Sequence, residues 1–448
     1  MNPFLAIALV FALLVFLIGS VVVFNRFASW PAELNRKTIH IGMGLVCLFF
    51  PFLFVETWPV CLLAIITVVA LAIIRFPSPL QRYVGHVLGA VERPSVGELL
   101  FPLAVAVVFA GHGNSVILFA IPVLQLTISD SVGALVGVKY GKHKYQTDDG
   151  YKSVEGSAAF LVVAFLVSFV PLLISGLSFE VNFLISLLLA LTLTLMEAIS
   201  WRGWDNLFIP ITCQVILREA LQSPLAILMW DLLILLVMIA VITPWRRHTQ
   251  LSRSAGIGAA LVLYASWIVG GWQWLLGPLA TWIGYCLFCL RKQSAQSQQH
   301  YVHAVFAVAT PGLFWLYMAS ANDLSFLIYP YGLAYAANFG MIAIAFMVRK
   351  TTFPLFGGIL FAAFLAFLLH AAPYFLVWHN NSEILNLSLA AAWLLVLAIA
   401  IFSCWQPQIR KCPTDPARWL RQATLAVLTS AIGAILILVF RPWNLPSF

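Results

Sequence analysis

Stretches of about twenty apolar residues, separated by short polar segments, recur from one end of the chain to the other. Within them the apolar residues run on without alternating with polar ones. That pattern predicts membrane-crossing helices and excludes a membrane barrel. Sixteen spans are read. The first half holds 4–24, 38–55, 57–76, 98–111, 114–138, 157–176, 179–198, 205–218 and 223–243. The second holds 254–270, 272–290, 301–319, 324–347, 352–371, 385–404 and 419–440. Spans 98–111 and 205–218 fall short of the ~20 residues a perpendicular crossing needs, so half-helices or re-entrant segments are expected there. The first apolar run lacks a basic stretch before it and is long for a signal peptide, so it counts as a span. The expected fold class is all-α, a polytopic integral membrane helical bundle of about 16 transmembrane helices.

Composition strengthens this picture. Of 448 residues 62% are hydrophobic and 9% charged, with 24 Lys and Arg against 16 Asp and Glu. A soluble protein of this length carries roughly 110 charges, and so few cannot cover a surface facing water. The basic residues lie in alternate loops, near 26–37, 75–93, 139–152, 202, 246–253, 291–292, 349–350 and 410–421. Only Arg218 and Arg441 fall in the other set. Basic loops stay inside, so both termini are expected outside. The net charge of +8 is then explained by topology, and no nucleic-acid partner is needed. The seven cysteines read as small buried apolar residues, the Cys286/Cys289 pair included. Two domains are expected, 1–244 and 245–448.

Four polar constellations interrupt the apolar pattern. A charge at the centre of a membrane helix costs about 2.5–3.5 kcal/mol, so each asks for a reason. Arg36, Lys37 and His40 open the second span, with Arg36 and His40 on one helix face. Alone, they are adequately explained as an inside anchor with a satisfied histidine. Next come Asp130 and the stripe Gly133, Gly137 and Gly141, then Lys142. Close helix packing accounts for the glycines but not for the carboxylate one turn before them. A carboxylate beside exposed backbone suits a magnesium ion held against phosphate oxygens. The third group runs from Lys142, His143 and Lys144 through Asp148 and Asp149 to Lys152, Ser153, Glu155, Gly156 and Ser157. Ammonium groups beside the free amides of a helix start favour a polyphosphate cradle over a solvated loop. The fourth is Glu197, then Trp201, Arg202, Trp204, Asp205, Asn206 and Pro210, at a membrane boundary. An interfacial aromatic belt is the plain alternative. Asp231 lies deeper and either bonds a neighbouring helix or joins the site. All four groups map to the inside face of this topology.

In this order the motifs resemble those of the phytol kinase, dolichol kinase and CTP-dependent diacylglycerol kinase group. The shared elements are Arg36 to His40, Asp130 to Lys142, Lys152 to Ser157 and Asp205 to Pro210, over roughly residues 25–243. The second motif departs slightly, since Gly133 precedes Ala134 where alanine is usual. The two middle motifs are shared with phosphatidate cytidylyltransferases. The last favours the kinases, and no Pro-Gly-His-Gly-Gly segment of the cytidylyltransferase kind follows. The resemblance implies phosphorylation of a membrane-embedded lipid alcohol by CTP or a related nucleotide, with a divalent metal, at the cytoplasmic face of a plasma or thylakoid-type membrane. On that basis Asp130 is expected to bind Mg²⁺, with Glu197 or Asp205 as second ligand or as base. Nucleotide contacts are expected from Arg36, Lys37, Gly133, Gly137, Gly141, Lys142, Lys144, Lys152, Ser153, Glu155, Gly156 and Ser157. His40 and Asn206 complete the set near the acceptor.

Two rivals remain. A cytidylyltransferase would use the same cradle and release pyrophosphate. A transporter also suits many spans, although its ion path would place charges deep in the bilayer, and here they gather at one interface. The second half offers no comparable cluster. His300 and His303 adjoin a polar linker, and His370, His379 and Glu383 are too scattered for a metal site.

Overall fold

The computed structural model describes residues 2–28, 30–75, 96–245, 248–289, 300–322, 324–350, 354–370, 382–406, 409 and 417–439. Several basic loops, Asp323, His379 and Cys412 lie outside these, as does the side chain of Glu383. The chain forms two compact units, Met1–Leu233 and Ile234–Phe448.

Unit 1 opens with α1 (Pro3–Ala28), α2 (Ala32–Cys47), the single turn α3 (Phe50–Leu53) and α4 (Trp58–Arg75). It continues with α5 (Gly97–Ala110), α6 (Val116–Leu124), a π-helical turn at Gln125–Ser129, and α7 (Asp130–Tyr140). After a hairpin of β1 (Lys144–Thr147) and β2 (Gly150–Ser153) come α8 (Val154–Ile174), α9 (Phe179–Ile199), α10 (Asp205–Gln222) and α11 (Leu225–Trp245), the last running past the unit boundary. The continuous rod α6–π–α7 is the inner helix of the unit, 61% of it buried against 17% of α1. Phe101, Phe109, Phe119 and Leu126 pack its core side with Phe50 and Phe54. The outer helices turn Phe4, Phe16, Val69, Val162 and Leu166 outward, an apolar exterior that suits lipid.

Unit 2 contains α12 (Arg253–Cys289), α13 (Val302–Asn322), a 3₁₀ turn (Ser325–Leu327), α14 (Ile328–Lys350), α15 (Leu355–His370), α16 (Ser382–Trp405) and α17 (Ala417–Val439). Its central element, Ser325–Val348, is 83% buried among the others. Helix α12 is broken at Gly271, whose φ of 71° is open to glycine at little cost. Pro278 lacks the amide that would reach the Trp274 carbonyl, and the Tyr331 hydroxyl donates to that carbonyl instead (2.5 Å). Trp274 is buried in this core, and His370 is buried too, its Nε2 2.9 Å from Thr281 Oγ1.

Each of the sixteen expected spans falls on a helix, but eleven among the described residues are long and apolar enough to cross a membrane. The difference has three physical sources. Trp58–Ile73, Gly97–Ala110 and Leu355–His370 are apolar but short. Helix α10 carries Asp205, Asn206, Gln214, Arg218 and Glu219. The spans 254–270 and 272–290 are one kinked element. The hairpin corrects the all-α expectation locally: 144–153 is a two-stranded ribbon closed by Asp148-Asp149, with Gly150 at φ 135°.

Candidate active site

Asp130 is placed by the π-turn. Its amide bonds the carbonyl of Gln125, five residues back, instead of the usual four. The Gln125 amide group is tied to the Ala164 carbonyl and the Ser168 hydroxyl (both 2.8 Å), and Ser129 donates to Gln125 Oε1 (2.8 Å). Helix α2 crosses this turn closely: a Cβ at Gly44 would lie 1.9 Å from Thr127 Oγ1. The crossing brings His40 Nε2 to the Leu126 carbonyl (2.9 Å) and to within 3.6 Å of Asp130 Oδ2. Lys37 Nζ meets the same carboxylate oxygen at 2.5 Å, and both side chains are almost fully buried. Arg36, one residue earlier, forms a two-pronged pair with Glu33 (2.6 and 3.0 Å).

The second half of the site hangs on the hairpin. Side chains alternate along a strand, so cross-strand partners Tyr145 and Lys152 share one face. Lys152 Nζ donates to Glu197 Oε1 on α9 (2.7 Å) and to the Glu197 carbonyl. Tyr145 shares a hydrogen bond with Ser157 (2.8 Å), and Ser157 donates to Glu197 Oε2 (3.4 Å). Burial pushes the Lys152 ammonium down, but Glu197 and Asp205 outweigh it and hold its pKa above the ordinary lysine value. Ser153 caps α8 by accepting from the Gly156 amide (3.1 Å). The Glu155 carboxylate accepts from the amides of Lys142 and His143 (both 3.1 Å) and from the His143 ring (2.6 Å). At the hairpin tip Asp149 accepts from the Arg202 amide (3.0 Å), and the Arg202 carbonyl accepts from Val96 (2.9 Å).

Asp205 joins the two halves. Its carboxylate accepts from the Asn206 amide (3.0 Å), while Asn206 Nδ2 donates to the Gly97 carbonyl (2.8 Å). The charges of Asp130, Lys152, Lys37 and Glu197 all act on Asp205, and that of Arg36 is felt by both Asp130 and Asp205. Arg36, Lys37, His40, Asp130, Lys152, Ser157, Glu197, Asp205 and Asn206 therefore share one polar locus in unit 1.

The other expected residues make these contacts. Gly133, Gly137 and Gly156 lock α7 onto α8: a Cβ at Gly156 would sit 2.9 Å from the Gly133 carbonyl and 3.0 Å from Gly137 Cα. Gly141 is likewise closed off by Ser153 (2.7 Å). The stripe's bare face is filled by protein backbone, so close packing is the role these contacts describe. Glu155 fastens the base of the hairpin. Lys142 and Lys144 stand exposed beyond that base, Lys144 on the opposite strand face from Lys152. Asp231 is buried in α11.

Sequence reasoning passed over Glu33, Tyr145 and Ser131. The first two carry no signal until their partners are known. Ser131, the neighbour of Asp130 in the chain, is fully buried, and its hydroxyl has no hydrogen-bond partner among the described residues. The Asp130 and Asp205 carboxylates, whose charges repel, are a donor set of the kind a magnesium ion takes. Such ions take one or two carboxylates and complete their shell with phosphate oxygens and water. No group of three or more His, Cys, Asp or Glu suited to a metal occurs among the described residues, so an all-protein cage is not what the chain offers.

No protein-family model and no solved structure matches the chain. It is 32% identical over 194 residues to the phytol kinase of Synechocystis sp., an alignment covering 42% of this chain and 79% of that protein. With a membrane bundle around a buried lysine–carboxylate site and that degree of identity across most of a known kinase, the chain belongs to the phytol kinase-type group of lipid kinases.

Proposed function

We propose that the chain phosphorylates a membrane-embedded lipid alcohol of the phytol, polyprenol or diacylglycerol kind, with CTP as donor, at the cytoplasmic interface of the bilayer. The observation that carries this reading is a pair of buried lysine–carboxylate contacts, Lys37–Asp130 and Lys152–Glu197, whose charges all act on the Asp205 carboxylate. Phosphoryl transfer asks mainly for positioning and for neutralised charge, and this locus supplies both signs at close range.

In this reading Asp130 and Asp205 would hold Mg²⁺, which supplies charge neutralisation to the phosphate chain. Lys37 and Lys152 exchange a carboxylate for a phosphate oxygen as the nucleotide binds, with Arg36 beside them. Lys152 moving to the phosphate frees Glu197 to take the proton from the acceptor hydroxyl, and Ser157 and Tyr145 hold that carboxylate in place. His40, its Nε2 held by the Leu126 carbonyl, stands 3.6 Å from the Asp130 carboxylate. The acceptor's chain lies among the apolar helices, with its hydroxyl at headgroup level.

The test is a screen of phytol, a polyprenol and diacylglycerol against CTP, UTP and ATP, with the purified protein in lipid discs. Lipid phosphate plus CDP is the expected product. Release of pyrophosphate would instead indicate nucleotidyl transfer, and no turnover with any pair would overturn the reading.

A further inference from the structure

Unit 2 lies outside the chemistry just described, yet it contains a hollow of its own. We infer that this hollow is a binding site for one uncharged lipid alcohol, distinct from the site in unit 1. It lies between α12, α13 and α14, with Trp419 of α17 at its edge. Small residues make the room, Ala259 and Pro278 on α12 and Ala304 and Ala309 on α13, and the break of α12 at Gly271 separates the two wall segments that this helix contributes. The empty space is about 620 Å³, the open mouth included. Tyr335 and Ile342, both on its wall, are seven residues apart on α14, a length of roughly 10 Å.

The lining decides the ligand's chemistry. Among the described residues no Lys, Arg, Asp or Glu lines the hollow itself, and the one guanidinium at its edge, Arg418, is stacked on the Trp419 ring (4.9 Å), so its deep part offers no charge to a headgroup. The Thr281 hydroxyl on its wall already donates to the Gly277 carbonyl (3.0 Å) and meets His370 (2.9 Å). Polar tips gather instead with Tyr285 and His300, whose rings lie 6.4 Å apart, and His300 packs edge-on against Trp419 at 5.3 Å. A hydroxyl there and a hydrocarbon chain deeper in match the distribution of polarity. The choice of an alcohol as probe rests on the proposed function; the cavity argument does not.

The test uses the full-length protein in phosphatidylcholine discs with a long-chain prenyl alcohol carrying a diazirine, and in parallel a diazirine phosphatidylcholine. The alcohol probe should label peptides from α12 and α13. A tenfold excess of plain alcohol should reduce that labelling by roughly tenfold. Ala309→Phe and Ala259→Phe, which fill the hollow from different helices, should each abolish it. If either variant fails to fold, competition on the unaltered protein decides. Equal labelling by the phospholipid probe, or labelling that excess alcohol leaves unchanged, overturns the proposal. Labelling needs no nucleotide, so specific labelling without phosphorylation would remove the kinase reading alone, and phosphorylation without labelling would remove this one alone.

Discussion

Lys37 and Asp130, 93 residues apart in sequence, meet at 2.5 Å with side chains 2% and 7% exposed. A pair so buried is balanced against the loss of hydration of both ions, and removing one partner strands the other. The pair is therefore strongly coupled to folding as well as placed for chemistry, and the two roles separate by experiment.

Lys37→Met should lower stability by about 3–5 kcal/mol, because the Asp130 carboxylate is then left buried without its ammonium. The double variant with Asp130→Asn should recover much of that loss. Thermal melting of the four proteins in one detergent gives the coupling. Additive losses would mean that the pair is not formed.

Asp130→Asn should keep a hydrogen-bonding partner for Lys37 and so stay folded, but lose turnover by several orders of magnitude. Near-normal turnover with ordinary metal dependence would remove Asp130 from the reaction. Chelation of divalent metal should abolish activity with only a small change in melting temperature, since Lys37 and the Asn206 amide hold the two carboxylates without it.

Lys152→Gln should reduce kcat/KM for the nucleotide by about 10–100-fold, the range of one to two charge-assisted contacts. The contribution of the Lys152–Glu197 pair to stability has a definite pH sense. The lysine pKa is raised above 10.5 in the folded protein, so the contribution is fully present below pH 10.5 and lost as pH rises through the folded value. Melting curves of the native chain and of Lys152→Gln should therefore stay offset by a constant amount between pH 6 and 9.

Gly156→Ala should destabilise by about 1–3 kcal/mol, because its new methyl meets the Gly133 carbonyl and Gly137 Cα. A nucleotide KM that rises sharply at unchanged melting temperature would assign the stripe to phosphate binding instead of packing.

Much of the architecture was legible one segment at a time. Hydropathy is a sum over neighbours in the chain, so every expected span lies on a helix. The short polar motifs likewise marked Lys37, Asp130, Lys152, Glu197 and Asp205, because an ionisable group in an apolar segment is costly enough to stand out. The sequence also carried the helix start at Ser153, a local matter of one hydroxyl and one amide.

What depended on the third dimension was which of these groups meet. A π-turn at Gln125–Ser129 adds one residue to a helical turn and so sets the direction in which Asp130 points; hydropathy contains no trace of it. Strand alternation in a ten-residue ribbon sent Lys152 to Glu197 and left Lys144 outside, although as a string they are equivalent lysines. The glycines after Asp130 had two readings until α8 was seen to fill the groove they leave. In each case the sequence specified the side chains and their cost of burial, while partner choice came from the contact geometry of elements far apart in the chain, because a charge buried in an apolar bundle is stable only where packing delivers its counter-charge.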